Sequence, residues 1–373
     1  MGKRGNGEGS IYRRKDGRWV GQYTAQTATG QKRRYVYGKT RAEAAAKLAK
    51  SIANRDVGLT FDAGNLTVSE YLTAWLNDSV RGAVRSGTYR RYEQLCRGHI
   101  VPALGNLQLT ALSPAHVQRF YRAKLDAGLS PRTVQYMHAT LHRALDRATK
   151  WGLVPRNVTE AVDAPRPARR EIQPLSPEQA RRLLSEARGD RFEALYVLAL
   201  TTGLRQGELL GLRWEDVDLD SGRLHVRRTL ITGGKLTFGQ PKTARGRRSV
   251  ALAPQTADSL KAHCDRQRAA GLYAGDGLVF CTRAGTPIAP QNLVRRYFKP
   301  LLKWAGLPDI RFHDLRHTCA TLLLGRDVHP RIVQDLLGHA QITLTLDTYS
   351  HVLPDMQAGA ADAMRDVLED DDK

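Results

Sequence analysis

Hydrophobic and polar positions change their rhythm along the chain, and the changes mark out three regions. In the first, Ser10–Arg14, Arg18–Thr24 and Lys32–Tyr37 carry β-branched and aromatic residues between turn signals at Asp16-Gly17 and Thr29-Gly30, which predicts three short strands. Thr40–Ala53 then predicts an alanine-rich helix, and a polar stretch, Asp56–Asn65, closes the module. In the second region Thr67 to Glu70 has the pattern of a capping box. Ser113 and Ser130 each precede a proline suited to the first helical turn. After Ser130, the residues Val134, Met137, Leu141, Leu145 and Ala148 recur at helical spacing and predict one buried face of a four- or five-helix bundle. Ala164–Glu171 is rich in proline and charge without periodicity, as an extended linker would be.

Beyond that linker, Ser176 to Gln179 predicts another capped helix, and Phe192–Thr202 a mostly apolar one ending at Gly203. Leu224–Ile231 and Arg248–Leu252 have strand composition, with a turn at Gly233-Gly234 between them. Helices are expected at Pro254–Ala270, Pro290–Trp304, Leu315–Leu324 and Pro330–Leu337. The whole predicts a multidomain α+β chain. Residues 1–57 form a small three-stranded sheet plus helix, 66–163 a helical bundle, 174–360 a mainly helical domain with a small antiparallel sheet, and 361–373 a tail.

Charge narrows the choice of partner. A formal charge of +21 on 373 residues calls for a polyanion, because lysines and arginines that neutralise phosphates release condensed counterions. Nucleic acid comes before an anionic membrane: no apolar run approaches a spanning helix and the N-terminus lacks the apolar core of a signal peptide, so a cytoplasmic protein is expected. Residues 1–57 alone hold fourteen basic side chains against four acidic ones. There Tyr12, Trp19, Tyr23, Tyr35 and Tyr37 interleave with the basic residues, either as a sheet laid into a DNA groove or as a mini-core. Arg90, Arg91, Arg97, Arg132, Arg143 and Arg147 could grip phosphates from the bundle, or simply be solvated. Cys96, Cys264, Cys281 and Cys319 lie too far apart for a zinc ribbon or disulfide framework and read as buried thiols.

Four stretches carry candidate chemistry: TTGLRQGELLGLRWEDVD (Thr201–Asp218), PKTARGRRSVAL (Pro241–Leu252), HDLRHT (His313–Thr318) and LLGHAQITLTLDTYSHV (Leu336–Val352). Together they resemble the tyrosine recombinase family of the phage-integrase type, in order and approximate spacing, over nearly all of residues 174–360. The resemblance implies catalytic roles for Arg205, Lys242, His313, Arg316, His339 and Tyr349. The residue types suit the chemistry. Two permanently charged guanidinium forks match phosphate oxygens that gain charge in a phosphorane-like transition state. His313, three residues before Arg316 on a helix, is the expected acceptor of the Tyr349 proton. Lys242 is the expected acid for the departing 5′ oxygen, and His339 a hydrogen-bond donor to phosphate. Arg245, Arg247 and Arg248 are expected to touch phosphates, and Glu208 to orient an arginine.

His313 and His317 also form an H-x-x-x-H pair, but Asp314 stands where a zinc hydrolase has its glutamate, and no third ligand is indicated. No metal or cofactor is expected: phosphotyrosine conserves the energy of the broken bond, and no nucleotide-binding loop is present in the sequence. The resemblance further implies a core-binding, SAM-like role for residues 66–163 and, on shorter motifs, an arm-type DNA-binding role for 1–57. It implies a clamp on duplex DNA, a homotetramer exchanging strands through a Holliday junction, and an excisionase or DNA-bending host factor as further partner. Met356, Ala360, Met364, Val367 and Leu368 would form an amphipathic helix that docks on a neighbouring protomer or on its own domain; Glu369–Asp372 reads as a solvated tail. Cys319 and Ala251 depart mildly from the family pattern. A type IB topoisomerase, which would relax DNA without paired sites, and a silent DNA-binding regulator are the rival readings.

Overall fold

The computed structural model describes residues 9–27, 30–56, 66–168, 173–232, 236–241, 246–275 and 277–338, together with 364, 365 and 368. Its contacts group the chain into two compact units, Met1–Arg169 and Arg170–Lys373. The division falls within Ala164–Glu171, where residues 164–168 have no regular structure and 169–171 lie outside the described residues.

The first unit begins with strands β1 (Ser10–Arg13), β2 (Trp19–Thr27) and β3 (Gly30–Gly38), an antiparallel sheet in that order, followed by helix α1 (Arg41–Asp56). Side chains alternate across a strand, so the register that pairs Ile11 with Gly21 and Gly21 with Val36 puts both apolar residues on one face. There they pack with Tyr23 and Leu48 of α1. Opposite parity leaves Tyr12, Tyr35 and Tyr37 on the other face, 42%, 45% and 45% exposed. The interleaved aromatics therefore divide: Tyr23 belongs to the mini-core, and three tyrosines form an open surface.

Helices α2 (Val68–Ala74), α3 (Ser86–Leu95), α4 (Val101–Leu104), α5 (Pro114–Asp126) and α6 (Pro131–Lys150) complete this unit. The capping box at α2 is closed in both directions: Glu70 N–H donates to Thr67 Oγ1 at 3.2 Å, and Thr67 N–H to Glu70 Oε2 at 2.9 Å. The stripe read from the sequence is the buried face of α6, with Val134, Met137, Leu141 and Ala148 at 0% exposure and Leu145 at 2%. It packs with Tyr71, Trp75 and Phe120 from the other helices. Four of the six bundle arginines stack on rings: Arg91 lies 3.6 Å and Arg132 5.1 Å from the Tyr136 centroid, Arg143 5.9 Å from Tyr92, and Arg147 5.6 Å from Trp151.

The second unit contains α7 (Pro177–Glu186), α8 (Glu193–Thr202), α9 (Gln206–Leu209), α10 (Pro254–Ala269), α11 (Pro290–Leu293), α12 (Lys299–Trp304), α13 (Asp314–Leu324) and α14 (Pro330–Leu337). Helix α8 is its spine. It packs against α10 and α13 with Ala194, Leu195, Leu198 and Ala199 at most 1% exposed, and leaves Glu193, Val197 and Thr201 partly or fully open along one side. Strands β4 (Val217–Asp218), β5 (Arg223–Val226) and β8 (Arg248–Ala251) form one antiparallel sheet; β6 (Thr229–Ile231) and β7 (Thr237–Gly239) form another.

Two elements differ from the sequence expectation. Leu224–Ile231 is not one strand: it breaks at Arg227 and Arg228, where Arg228 turns back to Asp216 at 2.9 Å and Glu215 at 2.7 Å, and Arg227 approaches Asp216 at 3.6 Å. Asp216 is 1% exposed, and satisfying its buried charge outweighs continuing the strand. Pro290–Trp304 is not a uniform helix: between α11 and α12 the turn Val294–Phe298 widens, and Lys299 N–H bonds to Val294 O. Pro300 has no N–H to donate to Arg296, so the regular ladder cannot pass through it. The turn at Gly233-Gly234 lies outside the described residues. All four cysteines are buried and unpaired.

Replacing Leu141 by Ala should destabilise the first unit by about 2–5 kcal/mol, read as a lower urea midpoint at unchanged slope. A loss below about 1 kcal/mol would show that α6 is not the centre of the bundle.

Candidate active site

The site begins where α8 ends. Gly203 takes φ +60°, the left-handed conformation that closes a helix C-terminus, and a Cβ there would lie 2.4 Å from Leu337 Cδ2. Leu204 then plugs into the core at 2% exposure and Arg205 emerges as the first residue of the turn into α9. Helix α14 ends the same way at Gly338, with φ +65°. A helix leaves its last carbonyls without partners, and these two glycines aim such groups at arginines.

Arg316, on α13, is 3% exposed. It donates from Nη1 to Gly203 O at 2.7 Å and from Nη2 to Leu337 O at 2.6 Å, tying the ends of α8 and α14 together. Arg205 donates from Nη2 to Gly338 O at 3.3 Å, so the two guanidiniums meet at adjacent residues of one helix terminus. Partial negative charge at helix C-termini favours cations there. Arg205 remains open, with 36% of its side chain exposed.

Glu208, 3% exposed, holds Arg205 from below. Its Oε1 accepts from Arg205 Nη1 at 2.7 Å, while its Oε2 accepts from the Arg205 backbone N–H at 3.1 Å and from Arg248 Nη2 at 3.1 Å. Burial pushes the carboxyl pKa up, but Arg248 and Arg205 together outweigh it and hold the group below its ordinary 4.5, so it is ionised. The expectation that Glu208 orients an arginine matches this geometry. The expectation for Arg248 needs correction: it is a buried partner of Glu208, with its side chain 7% exposed, and not a surface phosphate contact. Its Nε also donates to Leu336 O at 2.6 Å. Arg247 is exposed, and a cavity of about 260 Å³ beside it is lined by Arg247, Arg248, Arg331, Asp335 and Gly338.

His313 stands at the N-terminus of α13, three residues before Arg316. Packing around the ring lowers its pKa to about 4, and the nearby charges of His317, Arg316 and Arg311 add to that effect. The residue itself is exposed, so solvent or a substrate can reach the ring. At neutral pH the imidazole is uncharged and able to accept a proton. The position is set by Asp314, whose carboxylate takes the Arg311 backbone N–H at 2.7 Å and Arg311 Nη2 at 2.6 Å. His317 meets His313 edge to face, with centroids 5.1 Å apart and planes at 89°. Among the described residues, no three His, Cys, Asp or Glu side chains are grouped to share a metal ion.

Of the six residues singled out in the sequence, Arg205, His313 and Arg316 fall in one neighbourhood. Lys242, His339 and Tyr349 lie outside the described residues, as does Arg245. Sequence reasoning did not foresee the carbonyls of Gly203, Leu337 and Gly338 as arginine anchors, nor the Arg311–Asp314 pair. Parity in β8 does carry a signal for Arg248: it shares a strand face with Val250, which is 1% exposed.

Comparison with known proteins finds two family models on this chain. One described as the phage integrase family matches residues 173–356, and one described as phage integrase, N-terminal SAM-like domain, matches 67–125. A tyrosine recombinase XerC-like protein of Caldanaerobacter subterraneus subsp. tengcongensis is 32% identical over 361 residues, covering 90% of this chain and 92% of that protein. An integrase of Streptomyces ambofaciens is 32% identical over 342 residues, covering 87% and 86%. In fold, the chain is similar to the Tn1549 transposon integrase in complex with transposon right end DNA, with TM-score 0.70, 23% identity and coverage of 80% and 99%. It is also similar to the lambda integrase tetramer bound to a Holliday junction, with TM-score 0.61, 20% identity and coverage of 93% and 96%.

The His313 environment has a direct readout. In DNA-free protein with labelled histidine, its NMR titration midpoint should fall below the ordinary 6.5, toward 4. Between those values the folded ring binds fewer protons than the unfolded one, so the stability it contributes above pH 6.5 is lost as pH falls through 4. A midpoint at or above 6.5 would contradict the packing described.

Proposed function

Because the chain belongs to the phage integrase family of tyrosine recombinases, we propose that Arg205, His313 and Arg316 act with Lys242, His339 and Tyr349 to cut and rejoin DNA strands. The Tyr349 oxygen bonds to phosphorus as the bond to the 5′ oxygen breaks, leaving a 3′-phosphotyrosine. His313 takes the phenolic proton, Lys242 gives one to the leaving oxygen, and His339 donates a hydrogen bond to phosphate. A 5′ hydroxyl from another strand reverses the step, with no bond energy lost in between.

The observation that carries this reading is the fixed pair of guanidiniums. Arg316 is held by two backbone carbonyls and Arg205 by a carboxylate and a third carbonyl, so both are oriented before any phosphate arrives. Preorganised charge of this kind stabilises a transition state without reorganisation at the moment of reaction, and losing one such donor costs a factor of about 10²–10³. His313 stands beside Arg316 with its ring unprotonated at neutral pH, the form a proton acceptor needs. His339 follows Gly338, whose carbonyl Arg205 holds, directly in the sequence.

The same proposal divides the chain by task. Residues 174–360 catalyse, 66–163 grip the core site with the ring-stacked arginines of the bundle, 1–57 bind arm-type sites through the open tyrosine face, and 361–373 form a tail. The partner is duplex DNA, on which four copies exchange strands through a Holliday junction, with an excisionase or DNA-bending factor setting direction. Met364 and Leu368, exposed at 59% and 71%, are apolar positions available for packing between copies. No described helix is long and apolar enough to cross a membrane, which fits work on DNA in the cytoplasm.

On a nicked suicide duplex carrying its own core site, the protein should become covalently linked to DNA. Tyr349→Phe should retain specific binding and give no adduct, because only the attacking oxygen is gone; adduct persisting in that variant would refute the assignment. Deleting residues 1–57 should weaken integration more than cleavage of an isolated core site. Equal loss of both would count against arm binding.

A further inference from the structure

We propose that Arg248 is a positioning residue for strand cleavage, acting through Glu208 and the C-terminus of α14; this rests on the reading that Arg205 and Arg316 receive the phosphate. Three successive carbonyls end that helix, and three arginines from three elements hold them. Arg248 on β8 takes Leu336 O at 2.6 Å, Arg316 on α13 takes Leu337 O at 2.6 Å, and Arg205 before α9 takes Gly338 O at 3.3 Å. Arg248 is the one of the three that the cleavage chemistry leaves without a task, and its side chain is 7% exposed.

Its task follows from charge. Glu208 is ionised, buried and 2.7 Å from the Arg205 guanidinium. With Arg205 as its one cationic partner, the pair would be neutral where a phosphate must be met, and the phosphate would compete with the carboxylate for the same guanidinium. Arg248 occupies the other carboxylate oxygen at 3.1 Å and supplies the second positive charge, so the triad keeps a net charge of one. Meanwhile its Nε fixes the carbonyl next to the two that Arg316 and Arg205 use. One planar fork therefore sets both the charge left on Arg205 and the register of the helix end beneath the site. Lysine cannot do both, since its donors radiate from a single nitrogen.

The test uses the full chain on the suicide duplex that traps wild-type protein, with enzyme saturating, so that adduct formation reports the chemical step, and with binding measured separately by mobility shift. Arg248→Met should slow adduct formation about tenfold or more while DNA affinity changes less than about threefold. Adding Glu208→Gln should restore at least about threefold of that rate, because the carboxylate that neutralises Arg205 has gone. A merely structural role for Arg248 predicts the opposite, a double variant worse than either single one. Arg248→Met cleaving at the wild-type rate, or gaining nothing from Glu208→Gln, overturns the proposal. If Arg248→Met shows no cooperative melting, Arg248→Lys decides: a folded Lys variant should cleave at least about fivefold slower, and wild-type cleavage by it overturns the role of the fork. Absence of any adduct with wild-type protein would instead refute the catalytic reading on which the proposal rests.

Discussion

Three consecutive backbone carbonyls at the end of α14, each held by a different arginine, are the constraint from which the site's geometry follows. Neither side of this arrangement is comfortable alone. A helix end buried without donors leaves unsatisfied carbonyls, and a guanidinium buried without acceptors is an unpaired charge. Each cancels the other's penalty, and the two glycine reversals at Gly203 and Gly338 bring the partners to one place. The cations of the candidate site are thereby also structural ties between α8, α13 and α14.

That double duty explains the surrounding residues. Arg316 is reached from α13, so α13 must be held in rotation and in height. Asp314 does the first with Arg311, while Thr318, one turn on, takes the backbone N–H of Leu175 at 2.9 Å and ties α13 to the start of the domain. Helix α8 supplies the other reference. It is buried on all but the stripe of Glu193, Val197 and Thr201 and packs against α10 and α13, which holds in place the Gly203 carbonyl that it presents to Arg316. Hydrophobic burial thus acts at a distance: apolar side chains on α8 never approach the phosphate, yet they fix the acceptor that fixes the guanidinium.

Legibility in the sequence followed the range of each interaction. Capping boxes at Thr67 and Ser176, proline after Ser113 and Ser130, and glycine after Thr202 act within one turn, and each helix end they announce is where it was expected. The stripe on α6 was equally plain because a single face is buried. What failed depended on partners distant in sequence. Arg227 and Arg228 have the pattern of a continuing strand until Asp216, more than ten residues earlier, is known to lie buried beside them. Arg248 sits among other basic residues in a segment suited to meeting DNA, and composition alone made it one more phosphate contact. Strand parity, a local signal, already placed it with Val250 inside. The charge of arginine overrode that parity in the reading, although a buried arginine is admissible wherever a carboxylate such as Glu208 awaits it.

The use of helix ends as anchors also bears on why a mainly helical domain suits this chemistry. Phosphoryl chemistry of this kind needs fixed positive charge more than it needs a nucleophile of unusual strength, because the developing charge spreads over the non-bridging oxygens. An arginine on a flexible loop would lose rotamer entropy on every encounter with DNA, whereas one already hydrogen-bonded to backbone carbonyls lost it during folding. Helix termini supply those acceptors with a favourable dipole and without adding a full negative charge that the phosphate would then have to overcome. Where a full negative charge is present, at Glu208, a second arginine accompanies it. The pattern is consistent: two backbone carbonyls hold Arg316, and the Glu208 carboxylate beside Arg205 is shared with Arg248, so that these four side chains keep net positive charge while the cations are held in place.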